Sequence, residues 1–144
     1  MEKIIITSGY FDPVHKGHIE CFKLSKEIGG RLIVILNNDQ QTILKKGKSF
    51  MNQEERKTIL EAIKYIDQVF LSIDKDKTVV KSIEAIAKKY PSREIIFTKG
   101  GDRLKNLGNI PEAKICEKYN IKIIDNLGAK IQSSSQLTGL KEIK

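Results

Sequence analysis

"KIIITSGYFDPVHKGH", residues 3–18, combines a predicted strand, a turn and the start of a predicted helix within sixteen residues. The run "KIIITS" at 3–8 is short, apolar and rich in β-branched side chains, which is typical of a buried strand, and Gly9 ends it. Pro13 stiffens the turn, and the helix is predicted to begin at Lys16 or Gly17 and to close at the glycine pair 29–30. This stretch has the strand-to-helix order from which parallel α/β sheets are built.

The same alternation continues along the chain of 144 residues. Asn52, with Glu55 three residues later, is the predicted N-cap of the second helix. We expect a single Rossmann-like α/β domain over residues 1–144, with a five-stranded parallel sheet and helices on both faces. The further strands are predicted at 31–37, 68–73, 93–101 and 121–128, the helices at 18–29, 52–66, 77–90, 111–120 and 133–143, and a basic loop at 40–50.

The composition of the chain limits the kinds of partner that we expect. With 26 lysines and arginines against 18 aspartates and glutamates, the formal net charge is +8, which favours anionic ligands. No basic run is longer than two residues and few aromatic residues lie between them, so we expect no nucleic-acid partner. No stretch approaches the roughly 18 apolar residues of a membrane span. The apolar run near the N-terminus is too short for a signal peptide, so we expect a cytoplasmic protein without a membrane partner.

Two histidines, His15 and His18, both lie at the leading edge of the first predicted helix. At this spacing they can face one side together, beside a helix N-terminus whose free N–H groups and partial positive charge suit a phosphate. Gly17 between them leaves room for a ligand to touch the backbone. The other interpretations are a capped helix with two ordinary histidines and a metal site with Asp12 as the nearest further ligand. The strand-to-helix turn favours the phosphate, because both imidazoles can donate to phosphoryl oxygens as charge develops.

Four segments, in this order, resemble motifs of the cytidylyltransferase-like nucleotidyltransferase superfamily. "GYFDPVHKGH" at 9–18 contains its His-x-Gly-His motif, and "RLIVILNND" at 31–39 resembles its second strand and following aspartate. "NQEERKTILEAIKYIDQVF" at 52–70 resembles its middle helix, and "KIQSSSQL" at 130–137 its last motif before a short helix. The resemblance implies transfer of a nucleotidyl group from CTP or ATP to a small phosphorylated acceptor, with release of pyrophosphate.

The resemblance also implies roles for the matching residues. His15 and His18 would stabilise the α-phosphate and the leaving pyrophosphate as catalytic groups. Lys45 or Lys46, also catalytic, would reach the triphosphate or the acceptor phosphate. Mg²⁺ is expected with the triphosphate, with few direct ligands from the protein and no metal site of its own, and relatives imply a homodimer. Residues of three segments would bind the nucleotide, namely Gly9, Tyr10, Phe11, Asp12, Gly17, Gly100, Gly101, Asp102, Lys130, Ser133 and Ser134.

The branch of the superfamily is less sharply indicated. "TKGGDR" at 98–103 resembles heptose 1-phosphate adenylyltransferases, which act on ATP and a sugar phosphate. Glycerol-3-phosphate and choline-phosphate cytidylyltransferases usually have an arginine shortly before the last motif, in a run where this chain has Lys130. A sugar phosphate or a small phosphorylated alcohol is the expected acceptor, with CTP and ATP both open. The alternatives are a mononucleotide or phosphopantetheine-type adenylyltransferase and a non-catalytic nucleotide-binding module.

Overall fold

Strands and helices alternate through the computed structural model, which describes residues 2–100 and 110–127. In this part of the chain, no helix has the length and apolar character needed to cross a membrane. The elements in chain order are β1 (Ile4–Gly9), α1 (Lys16–Glu27), β2 (Arg31–Leu36), α2 (Asp39–Lys46), α3 (Gln53–Glu61), β3 (Gln68–Leu71), α4 (Val80–Lys89), β4 (Ile95–Gly100), α5 (Ala113–Lys118) and β5 (Lys122–Leu127).

The strands form one parallel sheet in the order β3-β2-β1-β4-β5. β1 pairs with β2 from Ile4↔Arg31 to Gly9↔Leu36 and with β4 on its other side. The strand order therefore reverses at β1, and the switch point lies between the carboxyl ends of β1 and β4, where open α/β sheets bind ligands. The predicted five-stranded parallel sheet is confirmed.

Two clusters of buried apolar side chains cover the two faces of the sheet. Successive β1 side chains enter opposite clusters, as the period of two in a strand requires. One cluster packs against α4 and α5 and the other against α1 and α3, so the prediction of helices on both faces is confirmed. Buried residues that mark them are Ile4, Ile6, Ile83 and Cys116 on one face and Ile5, Phe22 and Leu60 on the other.

The prediction of a basic loop at 40–50 is wrong, because α2 occupies most of this segment. The Asn38 side chain caps the helix by accepting from the Gln41 N–H at 2.9 Å, and Gly47 ends it with a φ of 84°. The local signal is limited by length, since the helix has eight residues. Its stability comes from tertiary contacts, of which the fully buried Gln41 side chain is the clearest.

Three predicted helices are longer than the observed ones, and the one predicted at 111–120 spans only Ala113–Lys118. The helix predicted at 77–90 begins at Val80, because the buried Asp74 carboxylate accepts from the N–H groups of Lys81 and Ser82 at 2.8 and 2.9 Å and so caps it. The helix predicted at 52–66 ends at Glu61, although Asn52 is its N-cap as predicted. The helix predicted at 133–143 lies outside the described residues.

Candidate functional site

The turn after β1 folds the Phe11 ring back against the end of that strand. A Cβ added at Gly9 would lie 2.8 Å from Cζ of Phe11, closer than real side chains allow. Phe11 is buried, has a positive φ of 49°, and meets the ring of His18 edge-on with centroids 4.9 Å apart. Gly9 is therefore required by the packing of Phe11, which in turn supports His18.

The two histidine rings are stacked at the N-terminus of α1. Their centroids are 3.7 Å apart and their planes differ by 22°. His15 is the N-cap, and its Nδ1 accepts from the Gly17 N–H at 3.1 Å. The Nδ1 of His18 accepts from the His15 N–H, also at 3.1 Å. Because Nδ1 accepts a hydrogen bond in each ring, the proton is assigned to Nε2.

The charge state of His18 follows from its surroundings. Burial, which is the largest cause, and the electrostatic influence of His15 and Lys46 together lower its pKa from 6.5 to about 3. The ring is therefore neutral near pH 7 and donates a hydrogen bond from Nε2 without adding a full charge. Such a donor can be aimed at phosphoryl oxygens where negative charge develops.

Asp12, predicted to bind the nucleotide, is fully buried, and its carboxylate binds backbone N–H groups of this chain. Its two carboxylate oxygens accept from the N–H groups of Phe50 and Met51 at 2.8 and 2.6 Å. The carboxylate thus ties the turn after β1 to the segment between α2 and α3. Among the described residues, no group of three or more His, Cys, Asp and Glu side chains is placed to hold a metal ion.

Arg56 of α3 joins three segments at the carboxyl edge of the sheet. Its side chain is fully buried and donates to the carbonyl oxygens of Tyr10, Asn37 and Met51 at 2.8, 2.7 and 3.0 Å. It also forms an ion pair with Asp39 at 2.8 Å. The guanidinium therefore positions the backbone on which the site is built.

The last turn of α2 places two lysines beside different parts of the site. Lys45 Nζ lies 4.3 Å from the centroid of the Tyr10 ring, a cation–π contact. Lys46 is close enough to His18 for its charge to lower the pKa of that histidine. The sequence could not distinguish the two lysines, and α2 gives each its own neighbour.

A cavity of about 270 Å³ lies beyond the carboxyl ends of β1 and β4. The histidines are not among its described lining residues, but Tyr10 lines it and the adjacent Phe11 touches His18. Most of its charged lining groups are ammonium groups, so the cavity suits an anion. The described residues that matter most for its chemistry are Gly9, Tyr10, Lys45, Lys77, Lys99 and Glu112.

Three of these residues were not among the predicted site residues. Lys99 stands in the segment "TKGGDR", whose glycines and aspartate drew attention first. Lys77 follows β3, and the one available signal was its position after the carboxyl end of a strand. Glu112 follows Pro111 just before α5, and no local pattern identifies it. Their convergence depends on the crossover connections.

Side chains of α2 and of its N-cap residue form hydrogen bonds with the loop that contains Lys77. The Gln41 amide donates to the carbonyl oxygens of Asp76 and Thr78 at 2.7 and 2.8 Å. The Asn38 amide donates to carbonyl oxygens earlier in the same loop at 3.0 Å. The lysine therefore projects from backbone that is fixed on both sides.

The structure brings together the predicted residues of the first turn and of α2. Gly17 lies between the histidines, and Gly100 ends β4, next to an irregularity in its pairing with β5. The other predicted nucleotide-binding residues, Gly101, Asp102, Lys130, Ser133 and Ser134, lie outside the described residues.

Comparison with known proteins identifies the family that the chain matches and several of its relatives. Residues 6–134 match the model of the family described as cytidylyltransferase-like. Glycerol-3-phosphate cytidylyltransferase of Staphylococcus aureus is 43% identical over 67 residues, which cover 46% of this chain and 51% of that protein. FAD synthase of Pyrococcus horikoshii is 38% identical over 68 residues, 46% of each chain. Bifunctional protein HldE of Koribacter versatilis is 35% identical over 103 residues, which cover 70% of this chain and 20% of that protein.

The solved structures support the fold. The lipopolysaccharide core biosynthesis protein of Thermoplasma volcanium superposes with a TM-score of 0.66 at 23% identity, covering 90% of this chain and 100% of that one. The matched part of this chain spans 51% of the length of the glycerol-3-phosphate cytidylyltransferase, 46% of the FAD synthase and 20% of the bifunctional protein HldE.

Proposed function

The chain belongs to the cytidylyltransferase-like family, and we propose that it is a nucleotidyltransferase that moves CMP or AMP from CTP or ATP to a small phosphorylated acceptor. The observation that carries the proposal is the stacked pair His15 and His18, whose Nε2 donors stand at a helix N-terminus beside a cavity rich in lysines. The family match and the similarity to glycerol-3-phosphate cytidylyltransferase support it.

The proposed reaction is an in-line displacement at the α-phosphorus. An oxygen of the acceptor phosphate forms a bond to this phosphorus, the bond to the bridging oxygen of the β-phosphate breaks, and pyrophosphate leaves with the bonding electrons. The enzyme forms no covalent bond, so catalysis consists of positioning and charge stabilisation. The Nε2–H groups of His15 and His18 donate to the phosphoryl oxygens as their charge grows.

The residues around the histidines would hold the triphosphate. Backbone N–H groups of Tyr10 and Phe11 lie at the turn before α1, where a phosphate is favoured, whereas the Gly17 N–H is already bonded to His15 Nδ1. Lys46 would balance charge on the His18 side of the triphosphate. Since the described residues form no metal-ligand cluster, we infer that Mg²⁺, which would neutralise triphosphate oxygens, is held mainly by the nucleotide.

The cavity would hold the acceptor. Lys45, Lys77 and Lys99 approach it from α2, the loop after β3 and β4, and ammonium groups are suitable partners for a phosphate. At about 270 Å³ it is smaller than the roughly 300–1,000 Å³ typical of pockets for drug-sized ligands. This size favours a sugar phosphate or a phosphorylated alcohol over a large acceptor such as a flavin nucleotide.

Pyrophosphate release, measured for CTP and ATP against a panel of phosphorylated acceptors, tests the function. The panel contains glycerol 3-phosphate, phosphocholine, phosphoethanolamine, and hexose and heptose 1-phosphates. His15→Asn and His18→Asn keep an acceptor atom near Nδ1 but lack the Nε2 donor, so each should lower kcat by roughly 10² or more. Lys23→Ala, an exposed change elsewhere on α1, is the control. Wild-type rates in either histidine variant would contradict the mechanism.

The proposal also covers the domain organisation, the assembly and the location of the protein. Residues 1–144 would act as one nucleotidyltransferase domain that pairs as a homodimer in the cytoplasm, in line with the superfamily that the motifs resemble. Sedimentation velocity across a range of concentrations tests the assembly, and a single species at the mass of one chain would contradict it.

A further inference from the structure

Among the described residues that line the lysine-rich cavity, Glu112 is the one with a carboxylate. The residue is 6% exposed and precedes the first turn of α5. Lys45, Lys77 and Lys99 line the same cavity. A carboxylate repels a phosphate, so its place in an anion-binding cavity requires a purpose other than binding the phosphate itself.

One part of the Glu112 carboxylate has a structural partner. Oε2 accepts from the backbone N–H of Val79 at 3.2 Å and so connects the segment before α5 to the segment before α4. A carboxylate has about four acceptor positions. Within the described part of the chain, Val79 is the one hydrogen-bond donor found for it, and Glu112 is a lining residue of the cavity. The remaining acceptor capacity is therefore available to a ligand.

The charges of the cavity restrict what that ligand can be. The described lining residues contain three lysines and one glutamate, a net charge of +2. A phosphate monoester dianion balances this charge, whereas an acceptor that also carries an ammonium group would bring a further positive charge among the lysines. A hydroxyl group is a neutral donor that satisfies the carboxylate without this cost.

We propose that Glu112 is a specificity-determining residue that accepts a hydrogen bond from a hydroxyl group of the acceptor. This inference rests on the nucleotidyltransferase function proposed above. It deepens that function by making the acceptor a hydroxylated phosphate monoester, such as a polyol or sugar phosphate, and by disfavouring amino-alcohol phosphates. A buried group built to accept from a substrate hydroxyl rejects the analogue without it, because the acceptor atom is then left unpaired.

Matched pairs of acceptors isolate the hydroxyl groups. Glycerol 3-phosphate and propyl phosphate differ only in two hydroxyls, and a hexose 1-phosphate and its deoxy analogues, each with one hydroxyl replaced by hydrogen, form a second set. For the acceptor type that the wild-type enzyme uses, kcat/KM should be at least about tenfold higher for the hydroxylated compound than for its analogue without the hydroxyl. Glu112→Gln keeps an oxygen for the Val79 N–H but replaces the second oxygen with a donor. It should reduce this preference about fivefold or more.

Two further variants separate specificity from folding. Glu117→Gln removes the same charge from an exposed position on α5 and should leave the preference at the wild-type value. Glu112→Asp keeps the charge but withdraws the carboxylate, and it replaces the glutamine variant if that variant fails to fold. Its preference for the hydroxylated acceptor should lie between the wild-type value and no preference. If Glu112→Gln lowers kcat/KM equally for both members of a pair, the residue has only a structural role and the inference is overturned.

Failure of the inference and failure of the proposed function give different results. If the wild type releases no pyrophosphate with any acceptor, the nucleotidyltransferase proposal fails and the inference fails with it. If the wild type is active but uses propyl phosphate as well as glycerol 3-phosphate, or prefers phosphoethanolamine or phosphocholine, the function stands and the role of Glu112 is refuted.

Discussion

The imidazole of His15 lies on that of His18 with their centroids 3.7 Å apart, and the backbone N–H of His15 donates to Nδ1 of the ring stacked beneath it. A proton on that Nδ1 would oppose the N–H, and burial further disfavours a charged His18. His18 is therefore built to present a neutral Nε2 donor at the start of α1.

The pKa of His18 predicts an acid-sensitive native state. Because its folded pKa, about 3, is below the unfolded value of 6.5, the unfolded chain binds a proton at this site over that range and the native state does not. Stability should fall as the pH drops from 6.5 towards 3, with a contribution of at most about 1.4 kcal/mol per pH unit. Urea denaturation at pH 7, 5.5 and 4.5 should show a smaller fall in His18→Asn. An NMR titration of His18 with a midpoint near 6.5 would contradict the prediction.

Tyr10 should position Lys45 through the face of its ring. Tyr10→Leu removes the cation–π contact, whose typical strength of about 0.5–1 kcal/mol corresponds to a two- to fivefold loss in kcat/KM. Tyr10→Phe keeps the ring and should retain most of the activity. Steady-state kinetics of Tyr10→Leu, Lys45→Met and the double variant measure the coupling. Strictly additive effects would show that the contact does not position the lysine.

Gly9→Ala should destabilise the protein and lower its activity together. The new methyl group would lie 2.8 Å from Phe11 Cζ, and displacing the ring would disturb its contact with His18. Overpacking of this kind typically costs about 1–3 kcal/mol. The same change in a Phe11→Leu background should cost less, since the clashing atoms are absent. Equal free energies of unfolding lost in both backgrounds would contradict this explanation.

Arg56 should contribute far more to stability than its ion-pair partner. Arg56→Met leaves the Tyr10, Asn37 and Met51 carbonyls without this donor, so we expect a loss of about 3 kcal/mol or more. Asp39 has a side chain that is 36% exposed, and Asp39→Asn should cost less than about 1 kcal/mol. Chemical denaturation of both variants provides the comparison. Similar losses would mean that the ion pair, not the backbone bonds, carries the effect.

Local spacing explains which features of the site were predictable. His15 and His18 are three residues apart at a helix start, so helix geometry alone brings them to one side. The strand before them and the glycine that ends it are likewise short-range features. The helix α2 was missed although its caps, Asn38 and Gly47, are local features, because the helix is short and the burial of Gln41 depends on a loop more than thirty residues away.

The order of strands and helices and the histidine pair followed from the sequence, because hydrophobic periodicity and helix spacing act over a few residues. The tertiary structure alone decided that Phe11 is the neighbour for which Gly9 must stay small, and that Asp12 holds backbone. It also decided that Lys77, Lys99 and Glu112 meet at one cavity. The contacts of Asp12 and of the cavity residues join segments separated by crossover connections, and their positions depend on how the helices pack on the sheet, which no local pattern encodes.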